Sequence, residues 1–305
     1  MLRIHPEVQA ALSAGQAVLA LESTVITHGL PYPFNLKTAR ELEVAARESG
    51  AVPATIGVVD GRVLVGMDDP ELQRLAESAG KPPGEGGLEK VSLWNLPTLV
   101  ALGASGGTTV AATAHLARLA GVDVFATGGI GGVHPEPFDE SADLGALART
   151  SVIVICAGPK SILNLPATLE RLESYGVPVV GYGTDRFPAF HSPDSPLPAP
   201  ARLDTPEQVA AAFLAARELQ LPQALLVVNP AREGLPYAKV QAWADVATVE
   251  ARQRGVSGKA VTPFLLRRLS ELSGGETDRV NGLFLRENAR LGAQISVALA
   301  ARRQA

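Results

Sequence analysis

Short runs rich in β-branched residues alternate along the chain with longer segments in which apolar positions recur at helical spacing, the pattern of a sheet covered by helices. The runs predict strands at Ala17–Leu21, Ala54–Val59, Arg62–Val65, Val122–Ala126, Val152–Cys156, Val177–Gly181 and Ala224–Val228. The segments between them predict helices at Leu36–Glu48, Pro70–Ser78, Thr108–Ala120, Ser141–Ala148, Ser161–Ser174 and Pro206–Glu218. Asp60-Gly61 between two strands is a hairpin signal, so part of the sheet is expected to be antiparallel. Ala79–Gly87 has the composition of a surface insertion, and Phe187–Ala201, with five prolines, that of a covering loop. Beyond Asn229 the pattern is helical, over Ala238–Arg254, Thr262–Ser273 and Asp278–Arg302. The expected fold is α/β, a three-layer α/β/α arrangement with a central mixed sheet and a helical C-terminal layer, in one domain spanning residues 1–305 without internal repeats.

Composition narrows the function classes. With 46% hydrophobic, 19% charged and only 5% aromatic residues, the core is one of Ala, Val, Leu and Ile. A net charge of −4 offers no basic stripe, which argues against binding of intact nucleic acid. The one cysteine, Cys156, cannot form an internal disulfide and sits in an apolar run, as a small buried hydrophobe does. No apolar stretch approaches the ~18 residues of a membrane span, and Met1–Pro6 has no secretory pattern, so no membrane association and a cytoplasmic location are expected.

Several segments can carry chemistry. The glycine-rich Ala126–His134 follows a strand and lets backbone approach a ligand. Gly129 and Gly131 meet the first spacing of a dinucleotide fingerprint, but His134 stands where its third glycine belongs. Gly106–Val110 leads into a helix, where free N–H groups either hold a phosphate or are simply capped. Lys160 follows a strand and the turn Ala157–Pro159, and should open the helix predicted from Ser161. There the helix dipole and partial burial disfavour its charge and favour a nucleophilic amine; a solvated lysine is the competing reading. Glu22, between apolar residues just past a strand, is either a solvent-facing residue or a half-buried proton donor. Asp139, Ser141 and Asp143 cap a helix or, in Asp139, offer a hard oxygen to Mg or Mn. The histidines at 5, 28, 115, 134 and 191 show no zinc spacing.

Together the motifs resemble the pseudouridine-5'-phosphate glycosidase family, related to the indigoidine-synthase-A-like proteins. The carriers are Ala20–Thr24 with Thr27–Pro31, Gly106–Thr113, Phe125–His134 and Ser141–Leu144, followed by Ala157–Leu163 with Thr168–Glu170, and Thr262–Leu266 with Asn288-Ala289. The resemblance implies Glu22 as proton donor, Lys160 as nucleophile forming a Schiff base, and Asp139 as the residue that holds Mn2+. It implies substrate contacts at Lys90, Val110, Ser141, Ala142 and Asp143, an active-site wall at Thr127 and His134, and a uracil contact at Asn281 or Asn288. It further implies a homotrimer acting on a small molecule, reversibly cleaving pseudouridine 5'-phosphate to ribose 5-phosphate and uracil. Asn95 and Asn164 stand where that family usually has Asp, and the loop after His134 is short. Two other readings remain open: a lysine-dependent enzyme acting on another C-nucleoside phosphate, and a phosphosugar-binding sensor without turnover.

Overall fold

The computed structural model describes residues 1–81, 85–136, 138–256 and 258–304. The strands are β1 (Leu2–Ile4), β2 (Val18–Leu21), β3 (Val52–Val59), β4 (Arg62–Val65), β5 (Glu89–Val91), β6 (Gly106–Thr108), β7 (Val124–Ala126), β8 (Ile153–Cys156), β9 (Val179–Tyr182), β10 (Arg202–Leu203) and β11 (Leu225–Val228). The helices are α1 (Pro6–Ser13), α2 (Phe34–Glu48), α3 (Asp69–Glu77), α4 (Leu96–Ala101), α5 (Val110–Leu119), α6 (Ala142–Leu147), α7 (Leu165–Ser174), α8 (Pro206–Glu218), α9 (Tyr237–Gln253), α10 (Val261–Leu272) and α11 (Glu276–Gln304). The sheet runs β1-β4-β3-β2-β7-β8-β11-β9-β10, with β6 also on β3 and β5 on β6.

The sheet is mixed, as the Asp60-Gly61 signal predicts. From β2 through β10 the neighbours are parallel, and β3 joins them with its first half, Val18↔Val52 to Leu21↔Thr55. Its second half runs antiparallel to β4 and β6. Asp60 and Gly61 take φ of 49° and 69°, the left-handed pair that such a two-residue turn needs.

Side-chain alternation builds the layers. Leu19 and Leu21, Ile153 and Ile155, and Leu225 and Val227 point into a core shared with α2, α8, α9, α10 and α11. Val18 and Ala20, Val154 and Cys156, and Leu226 and Val228 point into the opposite core with α1, α5, α6 and α7. A period of two with both faces covered demands apolar residues at every position, which is why these strands read as unbroken apolar runs. The result is the expected three-layer α/β/α fold, with α9 to α11 as its C-terminal helical layer. Among the described residues no helix is long and apolar enough to cross a membrane.

Two expected boundaries move, with consequences for the site. Gly106–Thr108 is strand β6, and α5 begins only at Val110, capped by the Thr109 hydroxyl accepting from the Ala112 N–H at 3.4 Å. The helix expected from Ser161 begins at Leu165, because Asn164 caps it through the Ala167 N–H at 3.0 Å and Pro166 favours its first turn. Lys160 therefore does not stand at a helix N-terminus, and the dipole argument for its amine does not apply. The expected insertion around Ala79–Gly87 is described only in part, since residues 82–84 lie outside the described residues.

Asp123, at the foot of β7, is 8% exposed and holds Arg217 of α8 at 3.0 Å and Arg303 of α11 at 2.7 Å. It ties the last helix to the sheet. Both arginines keep access to water, which discounts the usual cost of breaking a buried pair. Asp123→Ala is expected to lower unfolding free energy by about 1–2 kcal/mol in urea titrations, and Arg303→Ala by less, since Arg217 still meets the carboxylate.

Candidate active site

Parallel strands deliver the residues that follow them to one rim of the sheet, where α/β folds bind ligands. Glu22 follows β2, Thr127 follows β7, and Lys160 lies just beyond β8. β5, paired with β6 in the register Lys90↔Gly107, brings Lys90 to the same place.

Glu22 is half-buried and takes a hydrogen bond from the Thr127 hydroxyl on Oε1. Burial pushes its carboxyl above the usual range; Lys160, the Thr127 bond and Lys90 oppose this, and Asp143 reinforces it. Thr127 is fixed in turn. Its N–H reaches the Ile155 carbonyl at 2.9 Å, and its own carbonyl accepts from Asn288 Nδ2 at 2.8 Å. Asn288 is fully buried and accepts from Asn229 Nδ2 at 2.9 Å. Its amide is thus engaged inside the protein, while Asn281 is half-buried beside Gly128.

The Lys160 turn is zipped to the glycine-rich segment. Its N–H donates to the Ile130 carbonyl at 3.1 Å, the Ile130 N–H donates to the Gly158 carbonyl at 3.2 Å, and Ile130 bridges Pro159. Lys90 is half-buried, and its amine is held below the usual lysine value by burial and then by the charge of Lys160, against the pull of Asp143 and Glu22. Its carbonyl accepts from Asn95 Nδ2 at 3.1 Å, while Asn95 Oδ1 accepts from the Ser92 N–H at 2.8 Å. An Asp at this position cannot make the first bond, which gives the departure at Asn95 a local reason. Asn164 caps α7 as an Asp does.

Asp143 is buried, and each carboxylate oxygen accepts a backbone N–H: Ala111 on Oδ1 at 2.9 Å and Gly131 on Oδ2 at 2.8 Å. Ser141 caps α6 by accepting from the Asp143 N–H at 3.2 Å, and Ala142 is exposed. These bonds reduce the anion-binding capacity expected near Thr108. The Thr108 N–H goes to Ser23 Oγ at 2.9 Å and the Thr109 N–H to the Val91 carbonyl at 2.8 Å. Only the Val110 N–H is left without a partner at this helix start among the described residues. Asp143→Asn supplies one acceptor where two N–H groups need them, so α5 and the glycine-rich segment shift apart. A fall of about 10²-fold in kcat/KM is expected, the scale of an ångström of misplacement, read by steady-state kinetics.

His134 is half-buried, its imidazole held below the usual value by burial and by Lys160 and Lys90, against the pull of Asp139. Its N–H donates to the Asp139 carbonyl at 2.9 Å, closing a short loop whose Pro137 lies outside the described residues. The Asp139 side chain is exposed. Among the described residues no group of three or more His, Cys, Asp or Glu is placed to hold a metal ion. Asp139 offers one carboxylate, which suits Mn or Mg that keep most of their waters and does not suit a metal needing a protein cage.

Glu22, Lys90, Lys160, Asp143, His134 and Asp139 thus form one electrostatic neighbourhood. The bracing residues Ser23, Asn229 and Asn288 carry no sequence signal for that role, since each acts on a partner distant in the chain, whereas Asn95 braces the nearby backbone of Lys90 and Ser92. The family described as indigoidine synthase A like protein matches residues 7–298. The chain belongs to this family. It is 61% identical over 282 residues, 92% of this chain and 97% of the relative, to pseudouridine-5'-phosphate glycosidase of Thermus thermophilus. The enzyme of the same name from Methylobacterium nodulans is 51% identical over 98% of this chain and 88% of its own. Among solved structures, an indigoidine synthase A-like protein of Thermotoga maritima superposes with a TM-score of 0.89 at 34% identity, covering 98% of this chain and 97% of that one. The prealnumycin C-glycosynthase bound to ribulose 5-phosphate superposes with a TM-score of 0.90 at 36% identity, covering 100% and 98%.

Proposed function

We propose that this chain is a pseudouridine-5'-phosphate glycosidase in which Lys160 is the covalent nucleophile and Glu22 the proton donor. The observation that carries the reading is a half-buried carboxyl, its pKa raised by burial, in electrostatic contact with two lysines at the carboxyl rim of the sheet. Identity of 61% to a glycosidase of that name supports it.

The bond to be broken joins C1' of the ribose to C5 of uracil, a carbon leaving group that needs an electron sink. The Lys160 amine attacks C1' as the C1'–O4' bond breaks, forming a C–N bond, and the proton that the nitrogen gives up goes to the O4' oxygen, which becomes a hydroxyl. Glu22 delivers a proton to C5. The C1'–C5 electron pair then stays with the uracil ring, while the nitrogen lone pair forms C1'=N, an iminium. Water adds to that carbon and releases ribose 5-phosphate, restoring the amine. Every step is reversible, so uracil and ribose 5-phosphate are expected to condense when supplied together.

Lys90 and the Val110 N–H are the groups for the phosphate, whose charge would favour the protonated Lys90 amine and turn remote binding energy into orientation at C1'. Asn281 addresses the uracil edge, with Thr127, His134, Ser141 and Ala142 lining the remainder. Asp139 is the residue for Mn2+, which when bound supplies charge stabilisation to substrate oxygens. We place the enzyme in the cytoplasm, and as a homotrimer: Tyr32, Phe34 and Val44 expose apolar surface beside Arg286 and Glu287 of α11, a face suited to another subunit. Sedimentation analysis reads that state.

The structural likeness to a C-glycosynthase favours a second reading, the same lysine chemistry on another C-nucleoside phosphate. Incubation with pseudouridine 5'-phosphate and borohydride, followed by intact-mass and peptide analysis, tests both. A pentose-phosphate adduct on Lys160 supports the proposal. An adduct on Lys90 reverses the two lysine roles, no adduct with this substrate but one with another base favours the second reading, and none with any leaves a sensor.

A further inference from the structure

The proline-rich segment, expected to be a covering loop, packs against the back of the Lys160 turn. Phe187, Ala189, Phe190 and His191 are all buried, and the segment meets the Lys160 turn at both ends. Before the lysine, the Phe190 N–H donates to the Ala157 carbonyl at 2.8 Å. After it, His191 Nδ1 lies 3.1 Å from Ser161 Oγ. The Ser161 hydroxyl donates to the Ala189 carbonyl at 3.2 Å, so it accepts from the imidazole, which defines the tautomer with hydrogen on Nδ1.

The fit leaves no room for slack. A Cβ on Gly129 falls within the Phe190 ring, and one on Gly158, whose φ is +97°, falls on the Pro188 carbonyl oxygen. Phe190 itself takes φ +60°, strained for a residue with a side chain, in order to present its N–H and ring to this turn. The His191 ring stacks edge-on to Phe190 at 4.5 Å, and the Leu235 N–H holds the His191 carbonyl at 2.7 Å. Burial pushes the imidazole down to about 3, so it does not serve as a proton carrier at working pH.

We infer that His191 is a positioning residue for the reaction, holding Ser161 by a hydrogen bond and thereby fixing the backbone from which Lys160 reaches the sugar. This rests on the assignment of Lys160 as nucleophile. The bond from the Lys160 N–H to Ile130 ties one face of the turn to the glycine-rich segment; a bond to the proline-rich segment on either side of the lysine fixes the other face, and the attack geometry depends on both.

The test compares His191→Leu, His191→Asn, Ser161→Ala and Lys160→Ala in the full chain, reading kcat, KM, the rate of borohydride trapping at saturating substrate, and Tm. His191→Leu and Ser161→Ala are expected to lower kcat and the trapping rate together by about 10²-fold with KM within about twofold. Their double variant is expected to be no worse than either single. His191→Asn, whose Nδ2–H falls near the lost Nδ1–H, is expected to recover most of the rate. Should His191→Leu fail to fold, Ser161→Ala, which removes a single hydroxyl, decides the matter. A lowered Tm with kcat and trapping unchanged in His191→Leu and Ser161→Ala overturns the inference while Lys160→Ala remains inactive. Turnover surviving in Lys160→Ala instead overturns the assignment of the nucleophile, and the inference with it.

Discussion

Lys160→Ala is expected to lower kcat for pseudouridine 5'-phosphate cleavage by about 10⁴-fold or more, with the substrate still bound, because a covalent route cannot proceed without its nucleophile. The carbon leaving group makes the loss severe. A glycosidase acting on an oxygen leaving group retains an oxocarbenium path when one residue is removed, whereas here the nitrogen lone pair is the electron sink that lets C1'–C5 break. Lys160→Arg is expected to fare no better, since a guanidinium stays protonated and forms no iminium. Lys90→Ala, by contrast, is expected to raise KM more than it lowers kcat. Equal kcat in the parent and in Lys160→Ala refutes the covalent mechanism.

Glu22→Gln is expected to lower kcat by about 10²- to 10⁴-fold, the usual range for losing a general acid, and also to raise Tm by about 2 °C at pH 8. Burial raises the Glu22 pKa, so the protein is stabilised relative to the unfolded chain while the group is protonated, and that advantage is lost as pH rises through the folded value. Glutamine carries no such penalty, so its gain in Tm is expected to shrink as pH falls through that titration. The parent rate is expected to fall as pH rises through the same titration, because the proton for uracil C5 is then gone. Melting curves and pH–rate profiles of both proteins check this. A variant that loses stability at pH 8 contradicts the buried, proton-holding role.

The strands that form the rim were legible because burial on both faces leaves no polar position, as in Val152–Cys156 and Ala224–Val228. β5 and β6 were not legible. Glu89-Lys90-Val91 and Gly106-Gly107-Thr108 have neither alternation nor an apolar run, and they are strands because each finds a partner. The start of α7 was misplaced because Ser161 is as good a cap as Asn164, and only the fold shows that the Ser161 hydroxyl is committed to Ala189 and His191. That the Asp143 carboxylate, a candidate substrate contact, also accepts two amides from distant segments was not legible in the sequence.

By itself the order of apolar runs and turns determined the layer architecture and the mixed sheet, which follow from periodicity and local chemistry acting over a few residues. The link to carbon–carbon bond cleavage came from the motifs' resemblance to a family. Which groups face one another was decided by the tertiary structure: that Glu22 meets Thr127, that Lys90 lies within the field of Lys160, and that a proline-rich loop braces the Lys160 turn. Burial and electrostatic coupling depend on distances between segments more than a hundred residues apart in the chain, such as Glu22 and Lys160, and no pattern along the chain encodes them locally.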